Sequence, residues 1–137
     1  MFSNPNTDLN QKLNESINSR PPLRQLFEKK KNLKTAINNY DYNSRELLLD
    51  SEGLITYELE LLIPILKHLD LEKLDLHNNR LQTLPQRIGE LTSLTSLHLQ
   101  FNRLETLPES IGDLANLVIL DLHNNRLQTL PQRIGGL

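Results

Sequence analysis

The chain has 137 residues, a formal net charge of −2, 37% hydrophobic and 4% aromatic side chains, and no cysteine. The missing cysteine excludes disulfides, zinc–thiolate sites and a thiol nucleophile. The length suits one domain with an aliphatic core, and no apolar run approaches the ~20 residues of a membrane-spanning helix.

At the N-terminus, Met1–Asp8 has neither a basic start nor an apolar run, so no secretory signal is expected. The expected location is the cytoplasm, or a host cytosol if the protein is delivered there. Residues 1–6 are expected to be a disordered tail. Thr7 or Asp8 should cap a short helix with Leu9, Leu13 and Ile17 on one stripe. Pro21 and Pro22 break it. A second helix is predicted from about Pro22 to Asn38, with Leu23, Leu26, Phe27, Leu33 and Ile37 inward. Lys29, Lys30, Lys31 and Lys34 form its solvated side. Residues 1–43 therefore read as a tail and a helical cap. Residues 1–40 hold seven basic against three acidic side chains, and residues 41–70 hold two against seven. Neighbouring segments of opposite charge are expected to pack on each other.

Residues 44–70 read as a degenerate repeat. Leu47, Leu49 and Leu54 keep the leucine spacing of residues 71–137, with Glu52 where an asparagine recurs later. The return segment, Tyr57 to Leu69, is predicted to be a helix that Pro64 bends or divides.

Residues 71–137 are one sentence written three times, at a step of 23 residues. Asp75 to Gly89 recurs letter for letter as Asp121 to Gly135. A fixed period of this length marks a stack of structural units. Leu74-Asp75-Leu76, Leu97-His98-Leu99 and Leu120-Asp121-Leu122 alternate apolar and polar, as strands with one buried face do. Each strand is too short to bury a core alone, so the copies must line up in a parallel sheet. Asn79, Asn102 and Asn125 come just after the strands and are expected to form a ladder that satisfies loop backbone groups. Pro85, Pro108 and Pro131 should occupy the first position of short return helices. Ile88, Ile111 and Ile134 should point inward, and Gly89, Gly112 and Gly135 should act as C-cap glycines.

All three copies carry L-x-x-L-x-L-x-x-N-x-L, and the chain is similar in this stretch to the leucine-rich repeat. The L-P-x-x-I-G ending resembles the short 23-residue class of bacterial repeat proteins and Ras-associated signalling scaffolds. The resemblance implies an α/β fold: a right-handed solenoid with a parallel sheet on its concave side. It also implies protein binding rather than catalysis. Leu120, Leu122, Leu127, Leu130 and Ile134 would be open on one side, so a homodimer through that edge, or a longer chain, is expected.

The alternation puts Glu46, Leu48 and Asp50, then Lys73, Asp75 and His77, then Ser96, His98 and Gln100, then Ile119, Asp121 and His123 on the concave face. Neighbouring strands lie ~4.8 Å apart, so equivalent positions form rows. In the row Leu48-Asp75-His98-Asp121, His98 stands between two carboxylates. A paired surface histidine is the plain reading; metal binding lacks a supporting shell, and catalysis lacks a nucleophile or oxyanion donor at a recognisable spacing. Phe101, where the other copies have Asn78 and Asn124, is the only aromatic residue in the regular repeats and is a candidate binding anchor. Arg80, Arg103 and Arg126 form a row beside it, suited to carboxylates. The candidate partner-binding set is thus Leu48, Asp75, His77, Asn78, Arg80, His98, Gln100, Phe101, Arg103, Ile119, Asp121, His123 and Arg126, with no catalytic residue, metal or cofactor. No basic stripe of the kind nucleic acid requires is present. The expected function is a protein-interaction module. Two other readings stay open: the substrate-recognition part of a larger signalling enzyme, or a bacterial effector or effector-binding protein in a host cell.

Overall fold

A computed structural model describes residues 5–136. Its sheet has four parallel strands in chain order: β1 (Glu46–Leu48), β2 (Lys73–Asp75), β3 (Ser96–His98) and β4 (Ile119–Asp121). The register steps by one period, pairing Leu47 with Leu74, Leu74 with Leu97 and Leu97 with Leu120. Those leucines point into the core, where Leu47, Leu74 and Leu97 are fully buried and Leu120 partly so. The alternation read from the sequence is therefore the alternation of the sheet.

Four α-helices precede or interrupt the strands: α1 (Pro5–Ser19), α2 (Pro21–Lys29), α3 (Lys31–Asn38) and α4 (Thr56–Lys67). α1 starts at Pro5 rather than at a Thr7 or Asp8 cap, so residues 5 and 6 are helix and not tail; residues 1–4 lie outside the described residues. Leu9 and Leu13 are buried and Ile17 packs beside them, as their spacing requires.

The single helix predicted over Pro22 to Asn38 is two. The chain breaks at Lys30, whose φ of −117° and ψ of 78° leave the helical region. The break turns the Lys30 side chain inward. Its ammonium donates to the carbonyls of Glu52 and Gly53 at 3.1 and 3.2 Å and lies 3.7 Å from the buried Glu58 carboxylate. The lysine run is thus not uniformly solvated. A helix-period pattern cannot distinguish one long helix from two short ones whose apolar faces point the same way.

α4 is one continuous helix through Pro64, which does not divide it. Glu58 accepts a hydrogen bond from the backbone N–H of Ile55 at 3.1 Å, holding the helix start. The return segments of the regular repeats are single 3-10 turns, Gln86–Glu90, Glu109–Asp113 and Gln132–Gly136. Two sequence expectations fail here. Pro85 and Pro108 stand one residue before the turn in extended backbone, with ψ of 148° and 151°. Their carbonyls accept from Ile88 and Ile111, so the rigid φ of proline aims the turn rather than starting it.

The glycines are not C-caps, because neither Gly89 nor Gly112 has positive φ. They are places of close approach. A Cβ at Gly89 would lie 2.7 Å from the Ser110 carbonyl oxygen, and one at Gly112 would lie 2.6 Å from the Arg133 Cβ. Successive return turns stack closely only because that carbon is missing.

The asparagine ladder is present. Asn79 accepts from the N–H groups of Glu52 and Leu54 and donates to the carbonyls of Leu49 and Leu76. Asn102 accepts from Leu81 and donates to Leu76 and Leu99. Asn125 accepts from Leu104 and donates to Leu99 and Leu122. Each asparagine serves the repeat before its own as well as its own. This explains Glu52: β1 has no earlier repeat to serve, so its position can lack an asparagine.

Candidate functional site

The outward residues of the strands form the rows that the register dictates: Leu48, Asp75, His98 and Asp121 stand side by side. Leu48 is 52% exposed and Ile119 is 50% exposed, so two large apolar side chains stand open on a sheet face otherwise lined by polar groups. Beside Leu48 a depression of about 310 Å³ runs along Ala36, Asn39, Asp41, Ser44 and Glu46.

Between the two apolar positions the short polar contacts run within a repeat, and the longer one reaches across to the repeat before it. The His77 Nδ1 lies 2.5 Å from the Asp75 carboxylate, and its Nε2 lies 3.9 Å from Asp50. The His123 ring pairs with Asp121 in the same way. Burial pushes the Asp121 carboxyl up, but the backbone N–H and ring of His123 and the charge of His98 outweigh it, so its pKa lies below the usual range. The expectation that His98 pairs with its two flanking carboxylates fails. Each carboxylate turns to the histidine two residues ahead on its own strand, and His98 Nε2 instead meets Ser96 Oγ at 2.9 Å. Ser96, expected on the open face, is 5% exposed. Among the described residues no group of three histidine, aspartate or glutamate side chains is placed to hold a metal ion.

The next row along the chain is Asp50, His77, Gln100 and His123. The Gln100 Oε1 is buried without a hydrogen-bond donor among the described residues. Beyond it comes Ser51, Asn78, Phe101 and Asn124. All four have φ between 55° and 58°. Asparagine tolerates this left-handed region, and Asn78 also donates to Ser51 Oγ at 2.9 Å. Phenylalanine has no such compensation. Phe101 is nevertheless 52% exposed, with its ring edge-on to His123 at 5.2 Å between centroids.

The last row is Arg80, Arg103 and Arg126. Their backbone N–H groups are tied to the carbonyls of Leu54, Leu81 and Leu104, while their side chains are exposed. Sequence reasoning missed what adjoins this row. Ile55 is 44% exposed and Tyr57 is 56% exposed, both at the start of α4, and they wall a second depression with Thr56, Gln82, Arg80 and Arg103. The only signal was the pattern of α4 itself, where Leu59, Leu62 and Leu66 take the inward stripe and leave Tyr57 outside it.

Residues 70–127 match the family model described as leucine rich repeat. No curated protein matches the chain. One solved structure that it resembles is a leucine-rich-repeat protein of Leptospira interrogans, at 30% identity and a TM-score of 0.54 over 74% of this chain. This chain spans 30% of the length of that one. Leucine-rich repeats generally mediate protein–protein interaction and are typically non-catalytic. The strands, the asparagine ladder and these two matches together make the segment 70–127 a set of leucine-rich repeats.

Proposed function

We propose that this protein is a non-catalytic interaction module of the short 23-residue repeat class, and that it binds a partner protein on the concave face of a right-handed solenoid. The observation that carries the reading is Phe101. It occupies a left-handed backbone position, at a cost of roughly 1 kcal/mol, and leaves half its ring in water. The repeat does not require phenylalanine there, since Asn78 and Asn124 fill the same position in the neighbouring repeats and the edge-on contact with His123 covers only part of the side chain. An exposed aromatic group on a rigid support is what binding hot spots consist of. Leu48 and Ile119 extend the apolar contact across the sheet.

The test is a partner captured on the immobilised chain, identified, and then titrated against variants. Phe101→Ala and Ile119→Ser are expected to weaken binding by about 1–3 kcal/mol each with the fold unchanged. Phe101→Asn should do the same while raising the melting temperature. Wild-type affinity in all three variants would move the site off this face.

A further inference from the structure

The three arginines of the last row have no acid to neutralise them. Among the described residues no ion pair or side-chain hydrogen bond engages the guanidinium of Arg80, Arg103 or Arg126, whereas Arg45, Arg87 and Arg133 all have carboxylate partners. Glu58 is buried against Lys30, and Glu105, two residues beyond Arg103, pairs with neither it nor Arg126. The first position of the row is Gly53, which adds no side chain beside Arg80; the Lys30 ammonium fills part of that gap, donating to the Gly53 carbonyl at 3.2 Å. Ile55 and Tyr57 stand along that gap. The row is therefore a line of unpaired positive charge beside a notch of about 310 Å³ that has Ile55 and Tyr57 on one wall and Arg80 and Arg103 on the other.

We propose that this edge is a docking site for an extended acidic peptide segment of a partner. It rests on the reading of the protein as an interaction module, but it names a different surface from the sheet face and a partner chemistry. The spacing selects the occupant. Three guanidiniums one repeat apart span roughly 10 Å at strand-like separation. An extended peptide places alternate side chains on one side at ~7 Å intervals, so two carboxylates at i and i+2 fit under three arginines. Arginine binds each carboxylate with two parallel N–H groups. One more alternate position carries an apolar side chain onto Ile55 and Tyr57. A basic or nucleic-acid occupant is disfavoured at this notch, the first by the arginines and the second by the acidic residues of the adjoining sheet face.

The probe is the peptide Phe-Ser-Glu-Ser-Glu-Ser-Phe, whose two glutamates and two aromatic ends all fall on one side of an extended chain in either chain direction, with the Gln-for-Glu peptide as its control. Titration into the isotope-labelled chain at low salt, followed by amide chemical shifts, should perturb Ile55 to Tyr57, Arg80 to Gln82 and Arg103. The control peptide should bind at least tenfold more weakly, and raising the salt to half-molar should abolish the difference. Arg80→Gln and Arg103→Gln should each cut affinity several-fold with unchanged melting curves, because neither guanidinium makes a contact within the fold. Equal binding of both peptides, or no perturbation at millimolar peptide, would overturn the proposal. Shifts confined to Leu48, His98 and Ile119 would also overturn it while leaving the sheet-face reading standing. Failure of that reading is scored separately, by the Phe101 and Ile119 variants.

Discussion

Replacing the three ladder asparagines by alanine one at a time should give a graded loss of stability. The grading comes from the groups each amide holds. Asn79 is 7% exposed, and it alone satisfies two backbone N–H groups, those of Glu52 and Leu54. Asn102 is 8% exposed and satisfies one, that of Leu81. Its two carbonyl partners are less vulnerable, since Leu76 also receives Asn79 and Leu99 also receives Asn125. Asn125 satisfies the N–H of Leu104, but it is partly exposed and water can take its place. A buried donor left without a partner costs about 1–3 kcal/mol. The Glu52 donor is likewise part-buried, so the expected losses are about 3 kcal/mol for Asn79→Ala, about 2 for Asn102→Ala and about 1 for Asn125→Ala. The exposed Gln128→Ala should stay within about 0.5 kcal/mol. Urea unfolding followed by circular dichroism reads the series, with an unchanged slope confirming that only stability moved. If Asn79→Ala and Asn125→Ala lose the same amount, the ladder is not what holds these loops.

The return turns offer a contrast in sign. Gly89→Ala should destabilise by about 1–3 kcal/mol, as overpacking does, because the new carbon meets the Ser110 backbone. Gly135→Ala meets nothing within 4 Å and should be neutral or slightly stabilising in the 137-residue chain; thermal melts of the pair decide it. Lys30→Met should cost about 2 kcal/mol by stranding two carbonyls and loosening Glu58, while Lys31→Met on the solvated side should not register. Glu90 receives Arg87 at 2.6 Å and Lys67 at 3.0 Å, which holds its carboxyl down at about 2. The folded value lies below the unfolded one, so this contribution is complete above roughly pH 4.5 and is lost as pH falls from there toward 2. Carboxyl carbon shifts should show Glu90 ionised at pH 3, and Arg87→Gln should move its titration upward.

Much of the fold was readable because the repeat imposes its own register. Once Leu74, Leu97 and Leu120 are recognised as equivalent, period-two alternation dictates parallel pairing and the identity of each row. The asparagine ladder was readable for the same reason. The chemistry of close approach was not. Glycine at a fixed place in each copy suggested a left-handed cap, but the requirement came from the next turn, 23 residues away. Lys30 failed similarly. A lysine in a run of three looks solvated until the first repeat supplies carbonyls for it to bind. At the candidate site, the rows were legible but the pairing within them was not. Whether Asp75 turns toward His98 on the next strand or His77 on its own is a choice between rotamers, and the sequence pattern is silent about rotamers.

The duplicated fifteen residues separate what a repeat encodes from what its surroundings add. Asp75 to Gly89 and Asp121 to Gly135 are identical in sequence. Their backbones agree, with φ of 57° at Asn78 and 55° at Asn124, and their local hydrogen bonds agree, with each histidine on its own aspartate. Their energetics do not. Ile88 is fully buried while Ile134 is only partly so, Asn79 is sealed while Asn125 is open, and Gly89 is crowded while Gly135 is free. Conformation is therefore written in the repeat, and stability is supplied by its neighbours. The same division applies to recognition. His77 and His123 have the same local partner, yet only His123 stands beside an aromatic ring, because only the repeat before it carries Phe101 in place of asparagine. One substitution in one copy is enough to give a periodic surface a specific location.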